Sequence, residues 1–512
     1  MLSGIFGRKS DHPMADIKSA QAFLEDLPKS DAHKSLMEIG EWMEQVAGNG
    51  DFKLDHQFAV VRLLDEAARP HARKLAREYF TPQELSRFQE NRLWLALGAW
   101  YRHAAKAYYT VFDRYRHDGK DATALKGHVP LLAARTVHAA TGQLKYICAH
   151  YAPVDGAIWS NLAQIYQHAE QGQYLDTPLA LYSGAVANTT VKNESGRLLG
   201  WYGCGVDTLK PLYMHLTERL IGEYCSSIDI GAQQDANSLF CFDLEHPAAP
   251  KGVKRGAAAK SSMRFIGMAD MQPKLAALIK TLEKGVVPDD INLSGSYDAE
   301  PVREAAQHLL SYLAAPPSRR SARRGIKVGL NVVSSFDKIV ERTDVALNFS
   351  NELPAYWAVE DISASGFRTV LPAQGADGIR IGSLLGVQPE GLPHWGAAVV
   401  RRLMRDDANL LHAGAEMLAN QIAGVALYQS GGGGGFEDGQ PALWLQAKPD
   451  GSPGEVLLLM KAGTFSAHCS LQTVLNGKKY LLIPARLQEK GLDYDLASFR
   501  VIEQEHDWSL PS

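Results

Sequence analysis

No stretch of the 512-residue chain holds the roughly 18–20 uninterrupted apolar residues that a membrane-spanning helix requires. Cysteine is scarce: Cys148, Cys204, Cys225, Cys241 and Cys469 are odd in number and form no CxxC pair. That excludes the usual disulfide framework and the usual zinc spacing, and fits a reducing compartment. At the N-terminus Arg8 and Lys9 follow the short apolar stretch instead of preceding a longer one, so no secretory signal is indicated and a cytoplasmic location is expected. Neither charge dominates. Lys and Arg total 53 against 57 Asp and Glu, a net charge of -4, which gives no support for a nucleic-acid polymer or an anionic membrane as bulk partner. Catalytic signatures are missing too. There is no nucleophile elbow, no HExxH, no Rossmann glycine fingerprint, and no cyclase or phosphodiesterase-like motif. The glycine run at 430–435 lacks the Lys-Ser/Thr of a phosphate-binding loop and reads as a linker. The chain therefore reads as a non-enzyme, with no catalytic residue, no metal site and no cofactor.

What is present is ordinary globular composition: 46% hydrophobic and 21% charged residues, enough for about three domains. The spacing predicts a multidomain α+β protein. Residues 1–225 read as helical. Leu36, Ile39, Met43 and Val46 form one apolar stripe. Thr81-Pro82-Gln83-Glu84 reads as a capping box opening a long helix with Leu85, Phe88, Leu93, Trp94, Leu97 and Trp100. Further helices are expected over 131–151 and around Trp159, Leu162, Ile165 and Tyr166. The histidines here, His56, His71, His103, His138 and His150, have no metal-ligand spacing. A mixed connecting region, 226–315, carries a strand at 238–244 and helices at 272–284 and 299–314, the last stopped by Pro316-Pro317. Beyond it short alternating segments bounded by Gly and Pro point to a small β-barrel over 316–430. The strand candidates are 326–333, 356–359, 368–371, 379–385, 397–402, 413–418 and 422–428. A β-rich C-terminal part, 431–512, is a second unit or an extension of the first, with Asn476-Gly477 as a tight hairpin turn.

Two short motifs carry chemistry. Arg319-Arg320-Ser321-Ala322-Arg323-Arg324 sets four guanidiniums within six residues just ahead of a strand. Guanidinium forks bind phosphate oxygens bidentately, match the O6/N7 acceptors of guanine, and stack on bases. Asp361-Ile362-Ser363-Ala364-Ser365-Gly366 offers a carboxylate for guanine N1–H and N2–H2, a hydroxyl, and a glycine that permits a positive φ and a close backbone approach. The same Asp-x-Ser-x-x-Gly is also an ordinary Asx or Ser turn.

In this order and strand context the two motifs resemble those of the PilZ domain family. Arg319-Arg320-x-x-Arg323 looks like the first motif of that family, with Arg320 paired to Arg324 as the other register; Asp361, Ser363 and Gly366 match the second. Gly396-Ala-Ala-Val-Val-Arg-Arg402 and Gly414-Ala415-Glu416 resemble its closing strands. The resemblance covers 316–430. It implies a six-stranded antiparallel β-barrel that binds cyclic di-GMP through Arg319, Arg320, Arg323, Arg324, Asp361, Ser363 and Gly366. One departure is the long stretch 325–360 between the motifs, with its charged segment 337–344, which implies a longer first hairpin. A long helical part ahead of such a barrel is similar to the layout of large proteobacterial PilZ proteins. The expected role is a receptor in which ligand at the arm shifts the barrel and signals to a protein partner, with motility, pilus and secretion machinery all compatible. The alternative is a ligand-free PilZ-like scaffold acting only through protein–protein contacts.

Overall fold

The computed structural model describes residues 12–28, 30–83, 85–117, 122–185, 187–254, 260–316, 324–343, 353–363, 365–371, 378–429, 439–446 and 454–504. The chain divides into two compact units, Met1–Ser318 and Arg319–Ser512.

The first unit opens with helices α1 (Ile17–Glu25), α2 (Ala32–Gly48), α3 (Leu54–Tyr79), α4 (Arg87–His117), α5 (Ala122–Leu125), α6 (Val129–Ala149), α7 (Gly156–Gln171), α8 (Val191–Gly203) and α9 (Pro211–Glu223). The stripe Leu36, Ile39, Met43 and Val46 is fully buried on α2, as its helical spacing requires. The start of α4 differs from the sequence reading. Ser86, not Thr81, caps it: the Ser86 hydroxyl accepts the Gln89 amide at 3.3 Å and the Gln89 side chain accepts the Ser86 amide at 3.2 Å. This is a capping box five residues downstream, and Phe88, read as core, is exposed. A four-stranded sheet follows, in the order β1 (Asp229–Gly231), β4 (Met263–Gly267), β2 (Ser238–Asp243), β3 (Lys251–Gly252), and then α10 (Gln272–Leu282) and α11 (Ala299–Ala314). One hydrophobic core runs from Met14 to Leu313, so the helices and the segment read as a connecting region fold together.

Burial in this unit has a consequence for acid stability. It holds the imidazoles of His71, His103, His168, His215 and His308 below their ordinary value. The unfolded chain then takes up protons before the folded one does, so stability is fully present above a pH of about 6.5 and is lost as pH falls below it. Urea unfolding followed by helical circular dichroism should show a midpoint that drops between pH 7.5 and 5.5; a flat or rising midpoint would contradict this.

The second unit contains two closed six-stranded antiparallel barrels. The first uses β5 (Arg324–Ser334), β6 (Ala355–Ser363), β7 (Gly366–Val370), β8 (Leu384–Pro389), β9 (Gly396–Arg405) and β10 (Leu411–Ala419), in the order β10-β7-β6-β5-β8-β9. The second uses β11 (Ile422–Gln429), β12 (Gln440–Leu445), β13 (Glu455–Lys461), β14 (Leu471–Leu475), β15 (Lys478–Lys490) and β16 (Tyr494–Gln504), in the order β11-β12-β13-β16-β15-β14. Lettered a to f along the chain, both barrels pair a–b, b–c, c–f, f–e, e–d and d–a, so the C-terminal part repeats the topology of the first barrel. The sequence reading ended the first barrel at 430, yet the strand at 422–429 pairs with β12 and β14 of the second. Asn476 and Gly477 both have positive φ in the β14–β15 hairpin, the turn that Asn-Gly favours.

The charged segment after β5 is not part of a long hairpin but helix α12 (Phe336–Thr343). Phe336 and Ile339 are buried in a core shared by both barrels, with Leu384 and Val399 on one side and Leu443, Leu459 and Leu496 on the other. The Phe336 amide donates to the Asp493 carboxylate of the second barrel at 2.6 Å. Across the same interface Arg401 of β9 donates twice to Glu489 of β15, at 2.7 and 2.6 Å. These bidentate bonds fix the register of one barrel on the other.

Candidate functional site

Of the predicted arginine arm, Arg319, Arg320 and Arg323 lie outside the described residues, while Arg324 opens β5 with an exposed side chain. Antiparallel pairing of β5 with β6 sets Arg324 opposite Ile362 and Gly325 opposite Asp361. The last arginine of the first motif and the acidic residue of the second, far apart in sequence, thus stand on adjacent strands. Ser363 pairs with Gly366 across the tight β6–β7 hairpin, and Asp361 pairs with Arg368. Exposed Ile326 and Ile362 add apolar surface at the same end of the barrel.

The second motif also has a structural role. The Ser363 hydroxyl donates to the Gly366 carbonyl at 3.2 Å and closes the hairpin. Gly366 does not have the positive φ expected of it. Its lack of a side chain matters for another reason: a Cβ there would collide with the carbonyl oxygen of Ala415 on β10 and lie 3.1 Å from its carbonyl carbon. The glycine lets β7 pack on the neighbouring strand.

Beside this hairpin opens a mostly apolar cavity of about 620 Å3, lined by Ile326, Val328, Ile362, Phe367 and the motif residues Ser363 and Gly366. On the next strands a polar network is anchored by His412, which is buried between two carboxylates. Its ring nitrogens lie 3.0 Å from Glu360 and 2.9 Å from Asp406, and Arg368 Nε donates to Glu360 at 2.8 Å. The bond to His412, with further bonds from the chain, holds the Asp406 carboxyl below its usual value. Sequence reading did not single out this network, because its members come from three segments with no fixed spacing.

The first unit holds a polar cavity that sequence reading also missed. It is about 370 Å3 in volume and lies among α3, α6, α8, α9 and the loop at 292–294. Its floor is a buried ion cluster. Glu218 accepts from Lys145 at 3.0 Å and from Arg197 Nε at 2.7 Å. Glu194 accepts from Thr189 at 2.9 Å and meets His138 at 3.0 Å. Burial alone would push the Glu218 carboxyl up, but Arg197 and Lys145 hold it well below the usual range. No sequence signal marks such a cluster, since its charges come from α6, α8 and α9 and meet only through the packing of those helices.

Among the described residues no group of three or more His, Cys, Asp or Glu could hold a metal ion, and no helix is long and apolar enough to cross a membrane.

Residues 18–234 match the family described as "Cyclic-di-GMP receptor FimW, N-terminal domain". No curated protein and no solved structure matches the chain.

Proposed function

We propose that the protein is a cyclic di-GMP receptor that holds the dinucleotide on its first barrel, between the arginine arm 319–324 and the Asp361-x-Ser363-x-x-Gly366 hairpin. The carrying observation is the β5–β6 register, which sets Arg324 and Gly325 against Ile362 and Asp361. An arm entering the barrel there is within reach of a ligand resting on the hairpin. Guanidiniums would bind phosphate oxygens and the guanine O6/N7 edge, and the Asp361 carboxylate would accept from guanine N1–H and N2–H2. Exposed Ile326 and Ile362 offer apolar surface for a base face. Independent support comes from the other end of the chain, where the helical region resembles the N-terminal domain of a cyclic di-GMP receptor. The six-stranded antiparallel barrel is the fold that the PilZ resemblance implies. Output would run from the arm into the helical unit that precedes it in the chain, and on to a protein partner.

A second reading is the ligand-free scaffold. The observation that favours it is that Ser363 and Gly366 already have packing roles, closing a hairpin and clearing Ala415.

Isothermal titration of the full-length chain with cyclic di-GMP, with GTP and cyclic di-AMP as controls, separates the two. Selective binding at micromolar concentration or tighter is expected; a folded chain that releases no heat with any of the three would support the scaffold.

A further inference from the structure

The cavity of the helical unit combines two sets of charges that behave differently. Its buried carboxylates are all satisfied internally. Asp65 accepts from Tyr108 at 2.6 Å and lies 3.4 Å from Arg135, while Glu194 and Glu218 are held by His138, Arg197 and Lys145. The remaining acid on the wall, Glu223, is exposed. The cavity's Arg69, Arg73 and Arg219 are not bonded to carboxylates in this way. Among the described residues Arg69, Arg73 and Arg219 form no ion pair within 4 Å, although Glu218 and Glu223 act on Arg219 from further off; the contacts of Arg69 and Arg219 are to an aromatic ring and to backbone. Arg69 lies over the Tyr182 ring at 4.1 Å, and Arg219 donates to the Asn292 carbonyl at 3.1 Å.

Their arrangement on α3 is unfavourable by itself. Arg69, Arg73 and Arg77 recur at i, i+4 and i+8 on one helix face, where like charges repel. Burial, followed by the repulsion of Arg69 and Arg77, holds the Arg73 guanidinium below its ordinary value. Arg77 donates to the Ser294 carbonyl at 3.0 Å and so draws the loop at 292–294 to the cavity edge. A helix that keeps three repelling guanidiniums beside a concave polar cavity gains from an anion that bridges them. Guanidinium forks bind phosphate oxygens in pairs, and the volume lies within the range of small-molecule sites.

We propose that the helical unit binds a small phosphate-bearing ligand in this cavity, held by Arg69 and Arg73 of α3 and Arg219 of α9. The site is separate from the barrel arm and does not depend on it.

The test uses full-length protein with inorganic pyrophosphate as the probe, against sodium chloride of equal ionic strength. Saturable binding with one site and a rise in melting temperature are expected. The double change Arg69→Gln with Arg73→Gln should weaken pyrophosphate binding by at least about tenfold. Its ligand-free melting temperature should be no lower than that of the parent, because a repulsion has been removed. Arg73→Lys, which keeps the charge without the fork, should fall between. Absence of saturable binding to the parent overturns the proposal, as does unchanged affinity in the double variant. A chain carrying Arg319→Ala and Arg323→Ala should keep its pyrophosphate site; losing it would assign the anion to the barrel arm and overturn this inference while leaving the barrel reading intact.

Discussion

Changing Arg319 and Arg323 together to alanine is expected to lower cyclic di-GMP affinity by about a hundredfold or more while leaving the melting temperature within a degree or two. Each charge-assisted bond contributes roughly 1.5–3 kcal/mol, and two lost bonds reach that factor even at the low end. Stability should hold because Arg319 and Arg323 precede β5 in the chain, and the described β5–β6 ladder runs from Arg324 onward. Titration calorimetry reads the affinity and a thermal melt reads the fold. If the double variant binds like the parent, the other register is tested by Arg320→Ala with Arg324→Ala. Arg324 begins β5 opposite Ile362, so that pair would grip from the strand itself. Failure of both pairs to matter would leave the arm without a ligand and favour the scaffold.

The parts of this molecule that were legible in its sequence are those set by local periodicity. Leu36, Ile39, Met43 and Val46 repeat with the helical period, and α11 spans the 299–314 segment that the pattern marked. Pairing and closure are not local properties. Nothing in the alternation at 422–428 says whether that strand closes one barrel or opens another; its partners, β12 and β14, lie further along the chain. Strand β16 escaped notice because Tyr494 through Phe499 are buried on both faces, which erases the alternation. Ile379 and Ile381 were read as strand residues and are indeed buried, but they precede a turn at Gly382, whose φ is positive, and regular pairing begins at Leu384. Helix α12 hid inside a charged segment because only Phe336, Ile339 and Val340 mark its buried side, too few to stand out from the acids and bases around them. Of the candidate site, the order of the motifs was readable, and the adjacency of Arg324 to Asp361 followed only from strand register. The ion cluster of the helical unit was not readable at all, because Lys145, Arg197 and Glu218 meet through tertiary packing of three helices.

Gly366 carries the packing role of the Asp-x-Ser-x-x-Gly hairpin, and Ser363 is where its two readings come apart. Gly366→Ala is expected to destabilise the barrel unit by about 3 kcal/mol or more, because the added Cβ overlaps the Ala415 carbonyl, and neither atom can move without shifting a strand of a closed barrel. For a unit of this size that corresponds to a melting temperature lower by very roughly 10 °C. Ser363→Ala removes one hydroxyl donor from the Gly366 carbonyl and should cost only about 1 kcal/mol. Loss of ligand binding in Gly366→Ala therefore says little, since it follows from a damaged barrel in either reading. Ser363→Ala is the informative change: the barrel stays folded, and a drop in cyclic di-GMP affinity well beyond its small stability cost means that the hydroxyl serves the ligand as well as the turn. A melt that shows Gly366→Ala as stable as the parent would mean that β7 and β10 can separate there, and the packing explanation for this glycine would fail.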